Sequence, residues 1–143
     1  MSLSTAQYAR CIETLEVSLT LLRQAEPESV EYEVFRNAVI KGFELTLETA
    51  GKLLRKALQA YSANPRAVAA LSYKEVLRDA ASHGLLSTEA VSRWFAYRDN
   101  RNSTAHDYGV GFAEETLKLL PGFIADARAL EATLRKELSD AET

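Results

Sequence analysis

Five apolar residues near the start of the chain restrict the fold more than any other feature. Tyr8, Ile12, Leu15, Leu19 and Leu22 follow one another at intervals of four, three, four and three. At 3.6 residues per turn these side chains form one stripe along a helix that must be buried against a partner. A longer stretch repeats the pattern. Advanced at ~100° per residue, Phe35, Val39, Phe43, Leu47, Ala50, Leu54, Ala57, Leu58 and Tyr61 fall within one broad arc. Lys41, Glu44, Glu48, Lys52 and Arg55 fall on the other side, where a solvated face is expected, the alternative being that some of them line a site or an oligomer interface. Glu48 precedes Lys52 by one helical turn, the favourable order for an ion pair. A third stripe comprises Leu117, Leu120, Ile124, Ala127, Leu130, Leu134 and Leu138. Strict apolar/polar alternation is absent, so no strand is expected.

The breaks between these stripes define the connections. The first helix is expected from Ser4 to Ala25, ending ahead of Pro27 because proline disfavours helical geometry in the residue before it. The second runs from Val30 to Tyr61 and stops at Ser62-Ala63-Asn64-Pro65. An alanine-rich, partly helical connector leads to Ser72, which has capping-box spacing with Glu75. That short third helix ends at His83-Gly84, since glycine tolerates the left-handed conformation that terminates helices. His83 suits this helix end, where a cation is favoured. The fourth helix starts near Thr88 and ends between His106 and Gly109. The fifth runs from Phe112 to Leu138, kinked at Pro121-Gly122, with residues 139–143 as a frayed tail. The prediction is an all-α fold: an antiparallel, up-and-down four-helix bundle with a short extra helix. Residues 1–143 form a single domain.

Composition narrows the class of protein. At 47% hydrophobic, the chain can bury a core without disulfides or structural metal. Its single cysteine, Cys11, allows no internal disulfide and is expected as a small buried hydrophobe. No secretory signal and no run of about 20 apolar residues is visible, so a cytoplasmic protein with no membrane association is expected. The net charge of −3 excludes a uniformly basic nucleic-acid coat but leaves room for a local basic patch. There is no glycine-rich phosphate loop, no HExxH, no CxxC and no nucleophile elbow, and no cofactor is expected.

The chemistry is concentrated in residues 97–109. This stretch holds Arg98, Arg101, Asn102, one of the two histidines (His106) and Tyr108. A histidine exchanges a proton near neutral pH. An arginine stays charged and forks onto phosphate oxygens. Together they come close to the minimum for RNA cleavage without a metal. The histidine takes the proton of a ribose 2′-hydroxyl, and the arginine stabilises charge on the attacked phosphate. On a straight helix Arg101 and His106 lie ~140° apart, whereas Arg98, Asn102 and His106 share a face. Either the helix bends or ends between Arg101 and His106, or two subunits complete the site about a twofold axis. Trp94 and Phe95 are expected in the core or at a subunit interface. The bland alternative for the Arg/His pair is a helix end satisfying backbone carbonyls and Asp99 or Asp107.

Residues 101–108, Arg-Asn-Ser-Thr-Ala-His-Asp-Tyr, resemble the R-x4-H-x-Y form of the motif of HEPN domains. Phe43-Glu44-Leu45-Thr46-Leu47-Glu48 with Lys52-Leu53-Leu54, and the run from Val76 through Leu86, are similar to the nucleotidyltransferase substrate-binding group of that superfamily. Gly51 departs from it, standing where the group often has a large aromatic residue. The resemblance implies a homodimer with facing motifs and a toxin acting as a metal-independent ribonuclease on RNA, tRNA among the candidates. Arg101 and His106 would be catalytic, with Asn102 and Arg98 supporting RNA binding. It implies a minimal nucleotidyltransferase as antitoxin partner, which transfers AMP to Tyr108. Added phosphate beside Arg101 and His106 would occupy the anion site and repel RNA. The alternative is a non-catalytic partner subunit of that nucleotidyltransferase; a plain helical dimerisation module would have no need of the motif.

Overall fold

The computed structural model describes residues 4–104 and 110–142, with side chains for 4–101 and 113–138. The described residues are helical with short connections: α1 (Thr5–Gln24), α2 (Val30–Gln59), α3 (Pro65–Ala69), α4 (Tyr73–Ser82), α5 (Thr88–Thr104) and α6 (Val110–Glu142). The expected all-α bundle is present. The connector forms α3, and α6 keeps helical geometry to Glu142, through most of the segment expected to fray. No helix among the described residues is long and apolar enough to cross a membrane.

Local sequence explains the boundaries. Ser72 and Glu75 form the reciprocal capping box at the start of α4, and Ser4 with Gln7 forms another on α1. Gly84 follows α4 with φ of 77°. His83 caps that helix, its Nδ1 lying 3.0 Å from the carbonyl oxygen of Asp79, with its ring stacked on Tyr61 at 4.5 Å. Tyr61, expected inside, is about half exposed because α2 ends before it. Cys11 is only partly buried.

α2 is the central element, packed against every other helix. That is why it buries Thr46, Gly51 and Leu53 beside its main stripe. All five residues of the α1 stripe are buried. On α6 the innermost line is Thr116, Leu120, Phe123, Ala127, Leu130 and Leu134, one step round from the expected stripe, with Leu117 and Ile124 at its flank. Phe123 is the hub. Its ring meets Phe43 at 4.8 Å, Tyr97 at 5.0 Å and Trp94 at 5.6 Å, all near-perpendicular. Such edge-to-face pairs add ~0.5–1.5 kcal/mol each beyond the area they bury. This cluster fixes α5 against α2 and α6, and so sets where the last turns of α5 lie.

Candidate nucleic-acid interface

α5 presents different residues to two environments. Trp94 and Tyr97 point into the core. Arg98 and Arg101, one turn apart, line a groove of about 510 Å3 between α2, α4 and α5. Its α2 side carries Glu44, Glu48, Lys52 and Arg55 at intervals of four, four and three. The charged side of α2, expected as a solvated face with a site lining as the alternative, therefore forms one wall of a cleft.

The groove is built around Tyr73, the first residue of α4. Its ring is buried, and its hydroxyl donates to the carbonyl oxygen of Leu47 at 2.6 Å. The guanidinium of Arg98 lies 4.9 Å from the ring centre, a cation–π contact. Arg55 approaches the same phenol and donates from Nη2 to the Leu71 carbonyl at 2.9 Å. Burial pushes the Tyr73 phenol well above its ordinary range despite both nearby arginines, so it is a neutral donor. Lys52, mostly exposed, sits 3.5 Å from Glu48.

Glu44 also lines a second depression of about 420 Å3, with Arg36, Lys41 and Ala113. The two share one side of α2. Together they place Arg36, Lys41, Lys52, Arg55, Arg98 and Arg101 against Glu44 and Glu48, a local excess of positive charge on a chain with net charge −3.

Polar contacts hold α5 to α6 around this region. Asn100 Nδ2 donates to Oγ1 of the buried Thr116 at 2.9 Å. Further along, Arg93 forks onto Asp126 at 2.8 and 2.9 Å, and the Tyr97 hydroxyl donates to the same carboxylate at 2.5 Å. Burial alone would raise the Asp126 carboxyl, but hydrogen bonds from Arg93 and Tyr97 outweigh it and hold the carboxyl below its usual value.

Of the residues singled out from sequence, Arg98 and Arg101 are brought together on the groove. Asn102 lies on α5 one turn beyond Arg98. His106 and Tyr108 lie outside the described residues, as does any bend between Arg101 and His106. Trp94 is fully buried; Phe95 is partly buried under Lys74 and Arg78, at 5.3 and 5.2 Å from its ring centre. Sequence reasoning missed Tyr73, and offered a site lining for Lys52 and Arg55 only as the alternative to a solvated face. The one signal was Gly51, whose missing side chain leaves the space the Tyr73 ring fills.

An antiparallel helical bundle with paired arginines over a basic cleft, continuing into an R-x4-H-x-Y sequence, defines a HEPN-type protein. The chain belongs to the nucleotidyltransferase substrate binding protein like family, whose family model matches residues 3–136. It is 31% identical over 111 residues to a Haemophilus influenzae protein named probable ribonuclease HepT, covering 78% of this chain and 74% of that one. A solved Haemophilus influenzae structure, described as the fold of a substrate binding domain of a nucleotidyltransferase, superposes with TM-score 0.79 at 25% identity, covering 92% of this chain and 99% of that one. A crystal structure from Thermus thermophilus gives TM-score 0.59 at 31% identity, with 85% and 98% covered.

Proposed function

We propose that the chain is the ribonuclease toxin of a toxin–antitoxin pair, cleaving RNA without a metal through Arg101 and His106. The observation that carries this reading is the convergence of Arg98 and Arg101 on a cation-rich groove at the end of the helix that leads into His106. The relative named as a probable ribonuclease supports it. In this mechanism His106 takes the proton from a ribose 2′-hydroxyl, whose oxygen attacks the adjacent phosphorus. The P–O5′ bond breaks, and the products are a 2′,3′-cyclic phosphate and a 5′-hydroxyl end once the leaving oxygen is protonated. Arg101 stabilises the charge that develops on the phosphate oxygens. Asn102 and Arg98 support RNA binding, and a homodimer with facing motifs completes the site. A minimal nucleotidyltransferase silences the chain by transferring AMP to Tyr108, which puts phosphate beside Arg101 and His106.

The test is incubation of purified chain with total tRNA in EDTA, alongside His106→Ala and Arg101→Ala. Wild type alone should cut; equal cleavage by all three would remove the proposal. Mass spectrometry after incubation with the nucleotidyltransferase and ATP should place AMP on Tyr108. A second reading, a non-catalytic subunit of a nucleotidyltransferase, is favoured by the likeness to the solved substrate-binding domain. It expects no cleavage and undiminished binding of the nucleotidyltransferase by both variants.

A further inference from the structure

We infer that the groove between α2, α4 and α5 is an RNA subsite that holds the nucleotide next to the cleaved bond, with Lys52, Arg55 and Arg98 as its phosphate contacts. The subsite takes its place on the strand from the ribonuclease reading above, but RNA binding tests it independently of cleavage. The groove, at about 510 Å3, lies within the ~300–1,000 Å3 usual for sites that enclose a ligand. Glu44 to Arg55 spans on the order of 16 Å along α2, the length of a few nucleotides at most.

Charge and chemistry select the occupant. Lysine and arginine outnumber carboxylate in the lining, which fits a polyanion. An apolar ligand finds little here, because Leu47 is fully buried and the Tyr73 ring is only 8% exposed, with Arg98 over it. The cations are held in place in advance. Arg98 is fixed over Tyr73, and Arg55 uses one of its five N–H donors on the Leu71 carbonyl. Less ordering is then required when phosphate arrives. Glu44 and Glu48 can only accept hydrogen bonds when ionised. They repel phosphate from their end of the groove and match ribose hydroxyls or base amino groups, which gives the strand a defined register.

The test uses the full chain carrying His106→Ala, so that bound RNA is not consumed, and a fluorescein-labelled single-stranded oligoribonucleotide followed by anisotropy. Lys52 is the residue to vary, because it is mostly exposed and its neighbour is Glu48 on the same helix. Lys52→Glu should weaken binding at least tenfold. Lys52→Ala should flatten the slope of log affinity against log salt by about 0.7, one single-strand phosphate contact. Lys52→Arg should bind like the parent. Arg10→Glu on α1, a more exposed cation with a neighbouring glutamate, should change affinity less than twofold. Equal effects of Lys52→Glu and Arg10→Glu, or no RNA binding by the parent, would overturn the subsite. Cleavage by otherwise wild-type chain, run in parallel with EDTA, separates the two ideas. Cleavage without a Lys52 effect removes only the subsite, whereas a Lys52 effect on binding without cleavage keeps the groove as an RNA-binding site and removes both the ribonuclease reading and the subsite's place beside a cleaved bond.

Discussion

Gly51 and Tyr73 fit together only because residue 51 has no side chain: a Cβ there would stand 2.5 Å from Cε2 of the tyrosine ring. Gly51→Ala would ordinarily favour the middle of a helix by ~0.5–1 kcal/mol. Here the ring is buried, anchored through its hydroxyl to Leu47 and covered by Arg98, so it cannot swing aside cheaply. Overpacking of this kind costs ~1–3 kcal/mol and should decide the sign. Gly51→Ala is expected to lower stability by about 1–2 kcal/mol in urea unfolding. Because Arg98 loses its platform, RNA affinity of the folded protein should fall as well.

Tyr73 itself separates support from contact. Tyr73→Phe keeps the ring under Arg98 and removes only the hydrogen bond to the Leu47 carbonyl, at a cost of about 1 kcal/mol. RNA affinity should be within twofold of wild type. Tyr73→Ala empties the space between α2 and α4, costs ~3–5 kcal/mol, and frees Arg98. Anisotropy measured well below each variant's melting temperature should show weakened binding for Tyr73→Ala alone. Equal affinity of the two variants would mean that the ring does not position Arg98.

The reach of the sequence ended where contacts between helices began. Periodicity correctly placed Tyr8, Ile12, Leu15, Leu19 and Leu22 inside, because each residue's angle about its own helix decides that. Ser72, Glu75 and Gly84 were legible as boundaries because capping is local. For Glu44, Glu48, Lys52 and Arg55 a site lining was legible only as the alternative to a solvated face. A charged helix side facing open water and one facing a cleft have the same spacing, and only the placement of Tyr73 and Arg98 distinguishes them. Phe123 was passed over beside Pro121-Gly122, where a kinked but continuous helix was expected; α6 does continue across them, and the ring becomes the hub of the aromatic cluster. Pairs such as Asn100 with Thr116 and Tyr97 with Asp126 are far apart in sequence and follow no local rule.

Asn100 and Thr116 tie together the two helices that flank the motif segment. Thr116→Val keeps the shape of the side chain and deletes the hydroxyl in a fully buried position. Loss of one such bond should cost about 1 kcal/mol. In the ribonuclease reading, kcat should fall by tenfold or more while KM changes little, since Arg98 and Lys52 are untouched. Parallel losses in melting temperature and kcat/KM, with no kcat–KM split, would reduce the contact to a purely structural one.

Asp126 contributes to the acid side of the stability profile. Its carboxyl is held below the ordinary value of 3.8 in the folded state, so its contribution is present above that value and is lost as pH falls through the lower folded value. Asp126→Asn removes the charged acceptor from the buried Tyr97 hydroxyl, worth ~1.5–3 kcal/mol. Urea unfolding should therefore show a gap between wild type and Asp126→Asn at pH 7 that narrows below about pH 4. A gap independent of pH would mean that the ionised carboxylate is not what the contact requires.

The alkaline side belongs to the buried phenols. Burial raises Tyr8, Tyr73 and Tyr97 above their ordinary value of 10.0, Tyr97 further through its bond to Asp126. In the unfolded chain these hydroxyls ionise at about pH 10, while the folded chain still holds the protons. Above pH 10 the unfolded state therefore binds fewer protons, and stability falls as pH rises towards the folded values. Each phenol contributes a slope that approaches about 1.4 kcal/mol per pH unit once the unfolded chain has fully ionised, so the three together approach roughly 4. Unfolding measured between pH 9 and 12 should show this decline. Tyr8→Phe should remove about a third of it, and do so at little cost at pH 7, because the Tyr8 hydroxyl is buried without a hydrogen-bond partner among the described residues. An unchanged slope in Tyr8→Phe would show that this phenol is not held protonated by the fold.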